Sequence, residues 1–549
     1  MRAQPRSRSG QRGTTLLLFT LILPAFLIPM AGLAIDATVL RIVQGKLSAA
    51  VDGAAIGAGR LLGTTAVPET LVDEFLKANF KTDSTAGFWG ANNLKTQVTY
   101  TPGITKRIDI TATVDVPLLF ARVFGQSFST VAAAGSSTRT DSRVMLVIDR
   151  SGSMNGDDGT GTGTSVLTDA KNFGAGFTQK FTEGSDELGL VVFDGSGVVA
   201  YPANNPSWDP TTKSTSVGGP DRSFNDPLNT HNMVAQINAI TSNNGQTGTA
   251  DALWLAYIEI QKAHLKDLAA DGVDYRLNSI VLLTDGLPQA VSIWPNNPSD
   301  NALKTTSGCA NKIVPVTNPN PTPMLGWVAV SRPFSSSNPV GIYQLASRDP
   351  AAAHTSIWWM AGKNSSGGPG DEENLNPLTA TGCADLQQPG NIGTATHDFN
   401  KIPSIDMWGN SMTGTAYTTA SQFVDASGNI ITNPVYDGST VLDQSKPTKG
   451  YHWALSFWNS SDDSARRIRI DANKPNRVDS TTLKIAIYVI GYEGNGGVDQ
   501  GLLRRIANDK LSTSYTDTQA TGIYVPAANK TELQDAFNTI YTAILRLAK

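Results

Sequence analysis

Residues 144–154 read VMLVIDRSGSM, five apolar positions in a row that end on an Asp-x-Ser-x-Ser loop. A short apolar run of this kind is a buried strand, and its pattern points to an open α/β sheet. Asp149, Ser151 and Ser153 then share one tight loop at the strand's C-terminal end. In such a sheet this edge is where ligands bind, because the loops part at a topological switch point. Carboxylate and hydroxyl oxygens are also the donors that a hard divalent ion takes. The alternative is an Asp/Ser-rich strand end that holds no metal.

Two later segments add to this set. Gly245-Gln246-Thr247-Gly248-Thr249 opens a helical run over Ala250–Lys262, and residues 279–286, SIVLLTDG, form another buried strand that ends on an acid. Asp149, Ser151, Ser153, Thr247 and Asp285, in this order, resemble the metal-ion-dependent adhesion site of the von Willebrand factor type A family. The resemblance implies an α/β fold with a Rossmann-like, mostly parallel sheet flanked by helices. It further implies a bound Mg²⁺, with Mn²⁺ or Ca²⁺ as alternatives, touched directly by Ser151, Ser153 and Thr247, while Asp149 and Asp285 act through water. An Asp or Glu of a partner protein would complete the ion's shell, and related domains couple that ligation to a shift of the last helix, here Lys530–Leu547. Asp157 and Asp158 follow the loop as two acids do in integrin β-type relatives with a neighbouring Ca²⁺, at a spacing longer by one residue. A solvated acidic turn is the other reading of that pair.

The 549 residues exceed one ordinary domain. Forty-three basic against 47 acidic residues give a net charge of −4, which argues against nucleic acid as a main partner. Residues 1–13 carry Arg2, Arg6, Arg8 and Arg12 and no acid, and residues 14–35 are then uncharged and largely apolar. About 20 such residues cross a bilayer, and the arginines would stay on the cytoplasmic side. A cleavable signal peptide is the alternative, with Gly32 and Ala34 as small residues before a cut. The 3–4 residue rhythm continues through Val39, Val43, Leu47, Val51 and Ala54 as an amphipathic stem.

The N-terminal pattern is Arg12-Gly13, a long apolar run, Gly32-Leu33-Ala34-Ile35-Asp36, and the stem Ala49-Ala50-Val51-Asp52-Gly53-Ala54-Ala55. It resembles the TadE/TadG-like proteins of Flp (tight-adherence) pilus assembly, whose TadG-type members also carry a von Willebrand A domain. Prepilin processing requires a glutamate soon after the cut glycine, whereas Leu18 stands five beyond Gly13, which fits an uncleaved anchor.

The expected organisation is a cytoplasmic tail at 1–13, a transmembrane helix at 14–35, a stem helix at 36–63, a small α+β domain at 64–140 and the A-type domain at 141–549. In the small domain, helical spacing covers Pro68–Phe80, strands fall at Thr96–Thr101 and Arg107–Val116, a short helix at Pro117–Phe124 and a further extended run at Ser127–Ala133. In the A-type domain the expected elements are the helix Ser165–Phe181, the strand Leu188–Phe193, polar loop to about Thr230 and the helix Asn232–Ile240. Residues 287–450, rich in Asn, Pro, Ser, Gly and Thr and carrying Trp294, Trp327, Trp358, Trp359 and Trp408, read as an inserted subdomain. The alternation resumes with the strand Thr482–Gly491, the helix Gln500–Ala507, the strand Gly522–Val525 and a helix capped at Asn529 with Glu532 three residues on. Cys309 and Cys383, both in the insert, would form one bridge or stay as thiols.

No G-x-x-x-x-G-K-[ST] phosphate loop and no H-E-x-x-H occurs. His231, His264, His354, His397 and His452 are scattered, with His354 and His452 read as core residues near tryptophans. The expected function is therefore non-enzymatic: an inner-membrane, single-pass scaffold of pilus assembly that docks a partner through its metal. A surface adhesin using the tryptophan-rich insert is the alternative, and a metal-dependent hydrolase a lesser one.

Overall fold

The computed structural model describes residues 11–62, 69–80, 87–103, 105–158, 163–195, 197–202, 220–225, 232–242, 246–293, 326–330, 340–344, 401–414, 442–446, 450–471, 483–493 and 498–547. The chain divides into two compact units, Met1–Thr140 and Asp141–Ala548. Cys309, Cys383, Trp294, Trp358, Trp359, His231, His354 and His397 lie outside the described residues.

In the first unit the apolar N-terminal run and the stem form one helix, α1 (Gln11–Arg60). Its stretch Phe26–Gly59 is long and apolar enough to cross a membrane. α2 (Glu69–Phe80) follows, and then β1 (Asn92–Thr101), β2 (Thr105–Pro117) and β3 (Phe128–Thr140), an antiparallel sheet in that order. Val43, Leu47, Val51, Ala54 and Ala58 form one stripe of α1, spaced three or four apart as a helix face requires. They share a core with the alternating Ile108, Ile110, Ala112, Val114 and Val116 of β2 and with Val72, Leu76 and Phe80 of α2. The helix expected over Pro117–Phe124 is instead a single 3₁₀ turn, Ala121–Phe124, ended by Gly125 at φ +87. β3 runs seven residues past its expected end at Ala133, because pairing with β2 carries its Ala-Ala-Gly-Ser-Ser stretch through to Thr140.

The second unit contains β4 (Ser142–Asp149), α3 (Val166–Thr178), β5 (Glu187–Phe193), β6 (Gly197–Tyr201), α4 (Met233–Asn238), α5 (Thr249–Asp271), β7 (Leu277–Thr284) and β8 (Ala290–Ile293). It continues with β9 (Gly326–Val330), β10 (Val340–Gln344), α6 (Gly450–Arg469), β11 (Ile485–Tyr492), α7 (Gln500–Ala507), β12 (Tyr524–Ala527) and α8 (Lys530–Leu547). The main sheet has the order β12-β11-β7-β4-β5-β6. Every pairing in it is parallel except that of β6 with β5. Counted from β4, the strand order is 3-2-1-4-5-6, the doubly wound arrangement. Met145 and Val147 of β4 face a core shared with α5, α6 and α7. Val144, Leu146 and Ile148 face one shared with α3, α4 and α8. Strand side chains alternate between faces, so an apolar run such as 144–148 is what a sheet covered on both sides demands. The mostly parallel, helix-flanked α/β class expected from the sequence is the class observed.

Two elements depart from expectation. β6 lies within the stretch expected to be polar loop, as a short antiparallel edge strand whose five residues are all buried. α6 was not expected at all, because Ser456, Ser460, Ser461 and Ser464 interrupt its apolar spacing. Those serines are buried, and Ser456 and Ser461 donate their hydroxyls to carbonyls one turn back, at 2.7 and 2.9 Å. The remaining positions, Trp453, Phe457, Ala465 and Ile468, carry the helical signal.

Described parts of 287–450 join the main core. Leu287, Val291, Ile402, Met407, Trp408 and Met412 pack with α5 and α6. Trp408, one of the insert's tryptophans, is buried and donates its indole N–H to Asp251 Oδ1 at 2.7 Å. His452 is buried in α6, where Nδ1 accepts the Asp443 N–H at 3.0 Å. Asp406 accepts hydrogen bonds from Trp408 N, Asn410 and Ser460 Oγ. Burial pushes the Asp251 carboxyl from 3.8 up to about 7 and the Asp406 carboxyl up to about 6, against the pull of these hydrogen bonds. Both acids hold protons more tightly folded than unfolded, so their contribution to stability falls as pH rises from about 4 to about 7. Denaturation midpoints measured across this window should show that slope. It should be shallower in an Asp251→Asn chain, which cannot titrate there, whatever that chain's absolute stability.

Candidate metal centre

The strand order reverses between β4 and β7, which makes their C-terminal ends the switch point of the sheet. Ile148 pairs with Leu283 in register, so the next residues, Asp149 and Thr284, stand side by side. Thr284 Oγ1 donates to Asp149 Oδ2 at 2.6 Å, and the Ser151 N–H donates to Oδ1 at 2.8 Å. Asp149 is completely buried, and burial pushes its carboxyl up to about 6; the Thr284 and Ser151 hydrogen bonds oppose that rise and nearby Asp194 adds to it.

Ser151 Oγ and Ser153 Oγ lie 3.1 Å apart, and Ser153 Oγ donates to Asp285 Oδ1 at 2.7 Å. Asp285 and Ser151 are buried and Ser153 is half-buried. Thr247 arrives from the loop that opens α5. Its carbonyl accepts the Gln289 and Ala290 N–H groups at 2.8 and 3.2 Å. A methyl group at Gly286 would stand 3.0 Å from Thr247 Oγ1 and 3.5 Å from Ser153 Oγ, so these hydroxyls flank the residue after Asp285. All five residues singled out in the sequence therefore gather at one strand edge.

The surrounding frame was not legible in the sequence. Arg150 and Asp194, both fully buried, pair at 2.7 Å and tie the β4 loop to the end of β5. Gly248 donates its N–H to the Asp194 carbonyl at 2.5 Å, and a side chain there would stand 2.5 Å from the Gly195 carbonyl oxygen. Only glycine allows that approach. Thr284 is adjacent in sequence to Asp285, and its position as the last residue of the second buried strand was the one available signal.

The donor set is entirely oxygen, three hydroxyls and two carboxylates, which fits Mg²⁺, Mn²⁺ or Ca²⁺ rather than a thiolate- or imidazole-seeking ion. Among the described residues no group of three or more His, Cys, Asp or Glu gathers as a metal cluster. An ion at this edge would therefore depend on the hydroxyls. Asp157 is exposed and Asp158 is buried, so the solvated acidic turn expected of the pair holds for the first acid and not for the second. Beyond it, Lys530 at the start of α8 pairs with buried Asp169 at 2.7 Å.

No family model and no curated protein matches this sequence. Among solved structures the chain is similar to the PilB minor pilin from Streptococcus sanguinis, at 13% identity over 84% of this chain and 80% of that one, with a TM-score of 0.34. It is similar to the vWF domain of the type V pili tip protein Mfa5 from Porphyromonas gingivalis, at 14% identity over 75% and 97%, with a TM-score of 0.29. It is also similar to the pilus adhesin SpaC from Lactobacillus rhamnosus GG, at 12% identity over 83% and 35%, with a TM-score of 0.30. Likenesses this distant decide neither fold nor function; the fold rests on the topology above.

Proposed function

We propose that this chain is a membrane-anchored, non-enzymatic interaction factor of pilus assembly, of the TadG-like kind. It would capture an acidic side chain of a partner protein through a divalent ion at the β4–β7 edge. Ser151, Ser153 and Thr247 would hold the ion, with Asp149 and Asp285 behind them. The ion would supply an open coordination position for a carboxylate; the protein's own residues orient it and keep the edge rigid. The observation that carries this reading is the 2.7 Å contact of Ser153 with Asp285, residues 132 apart in the chain, beside Thr247. α1 would anchor the chain in the inner membrane with its arginine-rich end cytoplasmic. The anchor and the pilus assignment rest on the N-terminal residue pattern and on the apolarity of α1. Burial of Trp408 removes one of the side chains on which an adhesin reading would depend.

Calorimetry of the full chain in nanodiscs should register one Mg²⁺ or Mn²⁺ bound per chain. Deleting the gene should abolish piliation, with the protein recovered in the inner-membrane fraction. Absence of any Mg²⁺, Mn²⁺ or Ca²⁺ uptake would sink the metal reading, and normal piliation would sink the pilus assignment.

A further inference from the structure

The tip of the β2–β3 hairpin, residues 118–128, reads LLFARVFGQSF. Pro117 pairs with Phe128 at its base, and the Leu118 N–H donates to Ser127 O at 3.0 Å, so the tip is a closed, ordered turn. It nevertheless leaves its large apolar side chains outside: Val123 is 83% and Phe124 64% exposed, with Leu119 and Phe128 exposed beside them. A folded soluble surface does not collect such side chains on one ordered turn without something to cover them.

The tip is fastened to α1 at one level. The Asp36 carboxylate, buried, accepts the N–H groups of Leu119, Phe120 and Ala121 at 2.9, 3.0 and 2.8 Å. Phe120 lies directly against Gly32: a methyl group there would fall 2.3 Å from the ring. Asp36 is the first charge after the apolar run, and its carboxylate is spent on backbone donors instead of facing outward. Immediately N-terminal to it, Phe26, Leu27, Ile28, Met30, Leu33 and Ile35 of α1 are exposed. The exposed apolar surface of the tip thus continues the exposed apolar surface of the helix.

The geometry points to a second membrane contact: the hairpin tip inserts into the interfacial layer of the bilayer that α1 crosses, on the side that carries the rest of the first unit. The occupant is lipid and not a protein groove, because the patch is continuous with exposed apolar residues at the C-terminal end of the uncharged run 14–35, which is long enough to cross a bilayer. Arg122, exposed, is the only charged residue of 117–128, and its sign suits anionic headgroups. Exposed Trp89 precedes Gly90, which packs on Pro117 at the base of the tip, where interfacial aromatics belong. Two attachments would hold the first unit at a set tilt on the membrane, where one helix alone would leave it free to swing.

This inference rests on α1 being a membrane span, so the test reads the two separately. Val123→Cys, Leu27→Cys on α1 and Leu511→Cys in the second unit, all exposed positions, are labelled with nitrobenzoxadiazole. The full chains are reconstituted in phosphatidylethanolamine–phosphatidylglycerol vesicles. Signal from Cys309 and Cys383 is measured on the otherwise unchanged chain and subtracted. A label at 123 should emit to the blue and be quenched several-fold more by nitroxide lipids labelled near the headgroup than the label at 511, while the label at 27 is quenched by lipid nitroxides as well. If 27 is quenched and 123 emits as in water, the tip proposal is wrong and the anchor stands. Blue emission at 123 without lipid quenching would mean a protein surface covers the tip, which also overturns it. No quenching at 27 removes the span and the tip contact together.

Discussion

Arg143→Met should destabilise the second unit by about 3–5 kcal/mol, the usual consequence of removing one partner from a buried ion cluster. Arg143 is fully buried at the start of β4, at the end of the sheet opposite the candidate metal centre. Its guanidinium reaches Glu187 at 2.6 Å, Asp274 at 2.6 Å and Asp267. Burial alone would raise all three acids. Arg143 and Arg276 instead hold Glu187 below its ordinary value, and the hydrogen bond from His264 to Asp274, together with the charge of Arg143, holds Asp274 well below it. Asp267 stays raised by burial and by the neighbouring Glu187. Without Arg143 the three carboxylates would share Arg222 and Arg276, of which Arg222 is partly solvent-screened. Urea unfolding followed by tryptophan fluorescence would report the change, since Trp254, Trp408, Trp453 and Trp458 are all buried in this unit. A loss under about 1 kcal/mol would mean that the cluster relaxes or takes up protons and is not held by this arginine.

The second large effect is expected on ion binding and not on stability. Ser153→Ala and Asp285→Ala should each weaken Mg²⁺ binding by more than about 100-fold, because each removes an oxygen from the donor set. Thr284→Val should cost about 10–100-fold, the range for groups that orient ligands without touching the ion. It removes the hydroxyl that holds Asp149 Oδ2 and accepts the Gly286 N–H at 3.2 Å. Asp157→Asn, at an exposed position, should change nothing. Isothermal calorimetry on the four variants and the wild type, with circular dichroism to confirm the fold, gives the ranking. Equal binding by wild type and Ser153→Ala would show that the hydroxyls do not hold an ion. Partner capture and piliation should follow the same order if the ion is what the partner touches.

The local sequence determined the strands that matter most. Runs such as 144–148 and 279–284 have no polar residue except at their ends, and a segment of that kind can only sit between two helical layers. The end residues of those strands then had to lie at an edge, which placed Asp149, Ser151, Ser153 and Asp285 there, whereas Thr247, on the loop that opens α5, joined the group through the resemblance to the metal-ion-dependent adhesion site. The helices α7 and α8 were equally legible, because their apolar positions keep a helical period and Asn529 and Glu532 mark the cap of α8. What the sequence could not express is pairing between distant polar groups. Ser460 and Ser464 on α6, the Asp251–Trp408–Asp406 link, the Arg143 cluster and the Arg150–Asp194 pair all read locally as surface chemistry. They are buried because a partner far along the chain satisfies each of them, and only the tertiary fold brings that partner within hydrogen-bond reach. The same holds for Asp36: nothing near it in sequence explains a carboxylate at the end of an apolar helix, whereas three backbone N–H groups from 83–85 residues away do.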